Sequence, residues 1–267
     1  MKILVLGNGF IGKPLAEYLE ADVFQKRLNE LTIDDFTLNT ADLDPYDVII
    51  NTAAKTSIDW CEKNKEETFD TNVIQAVRIA KLAKETGSKY VFFSSGCIFK
   101  SDETGNVNYE DSVPNPQCFY TYTKLMAEQL LEEVARETLI IRPRLLISEK
   151  SHPRNTIDKL LKYKQIINTQ ESATILEDLL PKVKELINEN ATGSFNIFNE
   201  GIITPSEIAG IFNHPHEIIT KDELDLITLG KARRVSTILG SKRTSPLPEI
   251  KKRLQEIRAT WHIEQNV

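Results

Sequence analysis

The chain has little that would staple it, anchor it in a membrane or ligate a metal. Of its 267 residues only three are cysteine (Cys61, Cys97 and Cys118), an odd number without C-x-x-C spacing. That excludes a disulfide framework or thiolate zinc site and fits a reducing, cytoplasmic compartment. Histidine is equally sparse. His214 and His216 flank a proline, while His152 and His262 stand alone, so no metal is expected. No apolar run approaches the roughly 18 residues of a membrane span. Positive charge is in deficit, at 33 Lys and Arg against 39 Asp and Glu. A net charge of −6 argues against nucleic acid or an anionic membrane as partner. Repeats and low-complexity segments are lacking too. What is left is length enough to bury a sizeable core.

The N-terminal run Lys2 to Leu6 is apolar, but glycines interrupt it and no small-residue cleavage site follows, so it reads as a strand and not a leader. Gly7-Asn8-Gly9-Phe10-Ile11-Gly12 comes next, and Lys13-Pro14 opens a helix through about Glu20. Strand, G-x-G-x-x-G and helix in that order predict a dinucleotide site. Gly7 makes the turn, Gly9 lets backbone approach a pyrophosphate, and Gly12 lets helix pack on strand. Strands near Asp22 to Phe24, Asp47 to Asn51, Lys89 to Phe93 and Thr138 to Arg142 alternate with helices. The helices are predicted at Lys65 to Thr86 and from Tyr120 to about Glu137. A further helix (Thr174 to Asn190) and strand (Ser194 to Phe198) complete an α/β, Rossmann-type, doubly wound parallel sheet.

The second strand runs into Gln25-Lys26-Arg27, two cations where an acid would bond a ribose 2′-hydroxyl. Lys26 and Arg27 therefore favour a 2′-phosphate and NADPH, with NADH still compatible. After the third strand, Asn51, Ala53, Ala54 and Thr56 are small or polar enough to lie against the cofactor.

The chemistry concentrates between Phe93 and Glu128. Tyr120 and Lys124 lie four residues apart and share a helix face. An ammonium beside the phenol is expected to lower its pKa, making it a usable proton donor. Ser95, just past a strand, offers a hydroxyl to hold a carbonyl oxygen. Serine, tyrosine and lysine together form a carbonyl-reduction site.

These motifs, GNGFIG at Gly7, NTAAKT at Asn51, FSSGCIF at Phe93 and YTYTK at Tyr120, resemble the extended short-chain dehydrogenase/reductase superfamily. Within it the chain is most similar to the dTDP-4-dehydrorhamnose reductases and to the bifunctional UDP-4-keto-6-deoxyglucose 3,5-epimerase/4-reductases. IDWCEKNKEETFDTNV, GCIF, HPRNTIDKL and TILEDLLP echo the second group. The resemblance implies that Ser95, Tyr120 and Lys124 carry an NADPH-dependent reduction of a UDP- or dTDP-linked 4-keto-6-deoxyhexose. It further implies that Cys97 and Lys159 exchange protons at carbon for the epimerisation. Gly96, Arg144, Asn155 and Arg234 are implied on the substrate, with Arg234 near its diphosphate. Gly240 departs from the relatives' usual acid and leaves sugar and base specificity open. A reductase without epimerase activity and a non-catalytic nucleotide-binding subunit are the alternatives. A homodimer is compatible with the sequence, though no apolar helical stripe marks its face.

The expected division is a dinucleotide-binding domain over residues 1–142 and 172–198. A substrate-binding lobe would then comprise residues 143–171 and 199–267.

Overall fold

A computed structural model describes residues 1–24, 40–102, 104–229 and 235–261. The strands that build its centre are β1 (Ile3–Leu6), β2 (Asp22–Phe24), β3 (Val48–Asn51), β4 (Lys89–Phe93), β5 (Leu139–Pro143) and β6 (Gly193–Ile197). All neighbouring pairs are parallel, in the spatial order β6-β5-β4-β3-β1-β2. β1, β3, β4 and β5 read as near-continuous Val, Ile, Leu and Phe because helices cover both faces of a parallel sheet. One face packs Val5, Ile50, Phe93 and Ile141 against Leu179 and Val183 of the Leu176–Asn188 helix. The other packs Leu4, Ile49 and Phe92 against Ile79 and Ala83 of the Gln75–Thr86 helix and Leu131 of the Phe119–Val134 helix.

The chain leaves β1 toward one side, for β2, and returns to the other for β3. Strand order therefore reverses between β1 and β3, and a crevice opens at their C-terminal ends. Gly7 ends β1, Thr52 and Ala53 follow β3, Ser94 and Ser95 follow β4, and Arg144 follows β5. These strand-end candidate residues thus collect at one pole of the sheet.

The expected strands fall within a residue of their places. The expected helix over 65–86 is three pieces, Lys65–Phe69, a π-helical turn Asp70–Ile74, and Gln75–Thr86. The Tyr120 helix stops at Val134, three residues before the expected Glu137, where Ala135 leaves the helical region at φ −147°. A second core, distinct from the two sheet faces, joins Ile147, Ile157, Ile166, Ile175, Ile208, Leu254 and Ile257. The C-terminal helix Ile250–Thr260, absent from the sequence expectations, contributes its buried stripe there. Among the described residues no helix is long and apolar enough to cross a membrane.

Candidate active site

The dinucleotide loop has the form its glycines require. Gly7 sits at φ +105°, and a Cβ there would lie 2.8 Å from Thr52 Oγ1 and 2.9 Å from the Ala53 nitrogen. A Cβ on Gly12 would lie 1.8 Å from the Gly7 carbonyl oxygen, so this glycine closes the loop on itself. Gly9 is different. The space beside its α-carbon is open as far as the Arg154 guanidinium, 4.0 Å away. An open backbone cradle at the start of the Gly12–Leu19 helix fits a pyrophosphate. Phe10 and Ile11 pack toward the sheet core, and Asn8 is exposed. Phe10 also stacks on His152, with ring centroids 4.8 Å apart. The HPRN segment is thereby laid on the dinucleotide loop, a contact that sequence reasoning did not anticipate.

Asn51 does not serve the cofactor as expected. Its side chain is buried, donating to Tyr90 Oη at 2.8 Å and accepting from the Ala53 nitrogen at 3.0 Å. A buried amide in an apolar sheet has to be satisfied inside, and here it is. Ala53 and Ala54 line the crevice half-buried, and Thr56 is exposed. Lys26, Arg27 and Arg234 lie outside the described residues.

Ser95 and Tyr120 meet as expected. Ser95 is extended at the end of β4, its Oγ accepts from the Cys97 nitrogen at 3.2 Å, and the serine lies close enough to the Tyr120 phenol to influence it. Tyr120 stands in the first turn of the Phe119–Val134 helix. That turn is fixed by a Cys118/Thr121 capping box and by Glu62, which accepts from the Phe119 nitrogen at 2.7 Å. Burial pushes the phenol well above its usual pKa, with Cys97 adding to this and Ser95 opposing it. Lys124, one turn further on, is buried. Its Nζ donates to the Phe93 carbonyl at 2.8 Å and lies 4.6 Å from the Phe92 ring centroid. Desolvation pulls this lysine down to about 7, with Glu128 and Cys61 working the other way. The expectation of a phenol made more acidic by its lysine is therefore corrected: desolvation drives both groups toward their neutral forms, Lys124 from within the core and Tyr120 from a half-buried position.

Asn72, in the π-helical turn, was not anticipated. Its side chain accepts from the Lys55 nitrogen at 2.8 Å, donates to the Lys55 carbonyl at 3.0 Å and to Thr123 Oγ1 at 3.1 Å. It ties the loop after β3 to the helix carrying Tyr120. The one available signal was a polar residue in an otherwise amphipathic run.

The implied substrate residues divide. A Cβ on Gly96 would lie 2.7 Å from Leu239, so this glycine makes room for packing. Asn155 is corrected outright. It caps the Thr156–Leu160 helix through the Ile157 nitrogen, accepts from Ser148, and donates to the Ser148 and Lys150 carbonyls. Fully buried and saturated, it has nothing left for a ligand. Arg144 turns inward, onto Cys97 and Glu171. Cys97 is half-buried beside Ser95 and Tyr120. Lys159 is exposed on the Thr156–Leu160 helix, and its charge reaches His152.

Comparison with known proteins identifies the family and the fold. The model of the RmlD substrate binding domain matches residues 1–182. A bifunctional dTDP-4-dehydrorhamnose 3,5-epimerase/dTDP-4-dehydrorhamnose reductase of Arabidopsis thaliana is 32% identical over 78% of this chain and 73% of its own length. The crystal structure of a UDP-rhamnose synthase from Acanthamoeba polyphaga mimivirus superposes with a TM-score of 0.85 at 22% identity, covering 98% of this chain and 99% of that one. A dTDP-4-dehydrorhamnose reductase from Bacillus anthracis, solved with NADP, superposes with a TM-score of 0.80 at 21% identity and the same coverage. At such identity the two structures carry the fold.

Proposed function

The chain belongs to the RmlD substrate binding domain family, and on that premise we propose that it reduces a nucleotide-linked 4-keto-6-deoxyhexose with NADPH, coupled to 3,5-epimerisation. The substrate is a UDP- or dTDP-linked sugar, and the product is of the L-rhamnose type. The observation that carries this reading is the convergence of Ser95, Tyr120 and Cys97 where β4 ends, beside the crevice headed by the Gly7–Gly12 loop.

A bound nicotinamide dinucleotide supplies hydride to C4. Ser95 Oγ holds the C4 oxygen by hydrogen bond, and the Tyr120 hydroxyl gives that oxygen its proton as negative charge develops. With its pKa raised, the phenol is fully protonated at neutral pH, the form a donor needs. Lys124 commits an N–H to Phe93 and keeps its remaining hydrogen-bonding capacity for the ribose side of the site. Lys26 and Arg27 are assigned to the 2′-phosphate, and Arg234 to the substrate diphosphate. Cys97 and Lys159 share the carbon proton transfers on opposite faces of the sugar. Three free cysteines suit a cytoplasmic setting.

The test uses the 4-keto-6-deoxyglucose nucleotide in heavy water without NADPH. Deuterium is expected at C3 and C5, read by NMR, and is expected to vanish in Cys97→Ala. No deuterium, with NADPH oxidised once the pre-epimerised sugar is added, would leave a reductase alone. Neither signal with either nucleotide would sink the proposal.

A further inference from the structure

Arg144 leaves β5 at the reactive pole yet does not face solvent. Its Nη1 donates to the Cys97 sulfur at 3.3 Å, and its Nη2 donates to Glu171 Oε2 at 2.6 Å and to the Val235 carbonyl at 2.7 Å. The arginine and glutamate side chains are only 10% and 4% exposed. Glu171 Oε2 also accepts from the Thr237 nitrogen at 3.1 Å, and the Glu171 backbone pairs with Ile203. The Arg144 nitrogen is pinned to Thr174 Oγ1, and the next residue, Leu145, sits at φ +41°. A branched side chain adopts that left-handed conformation only where its surroundings impose it. The guanidinium that leaves this turn meets the thiol.

Burying a guanidinium is costly, and Glu171 makes it tolerable by pairing. A salt clip between two loops needs no sulfur in it. Resting on the epimerase reading above, we propose that Arg144, clamped by Glu171, is the positioning residue for Cys97, aiming its sulfur and holding the negative charge left when the thiol gives up its proton. The Lys159 amine takes the proton from C3 or C5, and the C–H electron pair passes into an enolate on the C4 oxygen. As the ketone re-forms, the carbon takes the Cys97 S–H proton on the opposite face. A thiolate and an ammonium remain, and each resets by exchange with water. Arg144 stays protonated throughout.

Among the described residues, the Tyr120 phenol and the Cys118 thiol also lie near Cys97, both pushed up by burial and so uncharged near neutral pH. Arg144 touches the sulfur and Glu171 pairs with that arginine, so side chains of opposite sign stand in line behind it. Their substitution separates tuning from mere support. The full-length chain is alkylated with iodoacetamide across pH, and the Cys97 peptide is quantified by mass spectrometry. Arg144→Gln is expected to cut the thiolate fraction at pH 7 by about fivefold or more, and Glu171→Gln to raise it about threefold. Arg144→Lys should fall between Arg144→Gln and the parent. Shifts of the same sign in the glutamine variants, or none, overturn the inference. Where Arg144→Gln does not fold, Glu171→Gln decides alone: a larger thiolate fraction supports the inference, and an unchanged or smaller one ends it. The parent reading fails separately. Deuterium incorporation that survives Cys97→Ala removes the epimerase role whatever the titration shows. Incorporation that needs Cys97, with an unmoved titration, keeps that role and removes Arg144 from it.

Discussion

On the proposed mechanism Tyr120 gives a proton from a phenol that burial has made reluctant to ionise. The reluctance is useful at rest, since it keeps the group loaded, and the developing charge on a substrate oxygen draws the proton out. Tyr120→Phe removes the donor while keeping the ring. Turnover in the NADPH-oxidation assay is expected to fall by roughly 10²–10⁴-fold, with KM changed only a few-fold. This part of the site was legible in the sequence because it is local. Tyr120 and Lys124 share a helix face by spacing alone, and Ser95 follows an unmistakable buried strand. The fates of Asn51, Asn155 and Arg144 were not legible. Asn51 is claimed by Tyr90 and Arg144 by Cys97 and Glu171, partners 27 to 47 residues away in the chain. Asn155 was misjudged for a different reason. A cap and a ligand-binding amide are the same residue type, and only the count of satisfied bonds tells them apart.

Among the elements, the Gly7–Gly12 turn is the least tolerant. Gly12→Ala would set a methyl 1.8 Å from the Gly7 carbonyl, where backbone on both sides must move. It is expected to abolish NADPH binding, measured by fluorescence titration. Gly87→Ala serves as the control. Gly87 also has a positive φ, +73°, but nothing lies within 4 Å of its Cβ site. That substitution should cost only about 1 kcal/mol of stability and leave cofactor binding alone. Glycine spacing therefore disclosed the loop, while the π-helical turn at Asp70–Ile74 stayed hidden. One extra residue in a helical turn scarcely disturbs an apolar stripe, and the Asn72 bonds to Lys55 and Thr123 made from that turn are tertiary.

For the whole molecule, burying Lys124 ties stability to pH. Its pKa is about 7 in the folded chain against an ordinary 10.5. The folded state therefore holds fewer protons than the unfolded one between those values, and stability from this group rises with pH across that window. Below pH 7 the full penalty is present. Lys124→Met is expected to be more stable than the parent in urea at pH 6, and to lose that advantage by pH 10. The change is on the order of a few kcal/mol. At this scale the alternation of strands and helices announced the sheet, because parallel strands buried on both faces need little more than apolar runs. The second core did not announce itself. Its members, from Ile147 to Ile257, are scattered over short elements whose periodicity is too brief to read.

The pole opposite the site is laced shut by its own backbone. Asp47 accepts from the Lys2 nitrogen, the Asp47 nitrogen donates to the Lys2 carbonyl and the Lys89 nitrogen to the Asp47 carbonyl, while Lys89 Nζ spans the Glu137 and Asn190 carbonyls. Strand order is thus locked at one end, and the loops that choose a substrate hang from the other. Descendants of such a chain can trade sugars by rewriting loops, without renegotiating the fold. An engineer who grafts a surface tether beside Lys89 works on the end that chemistry leaves alone.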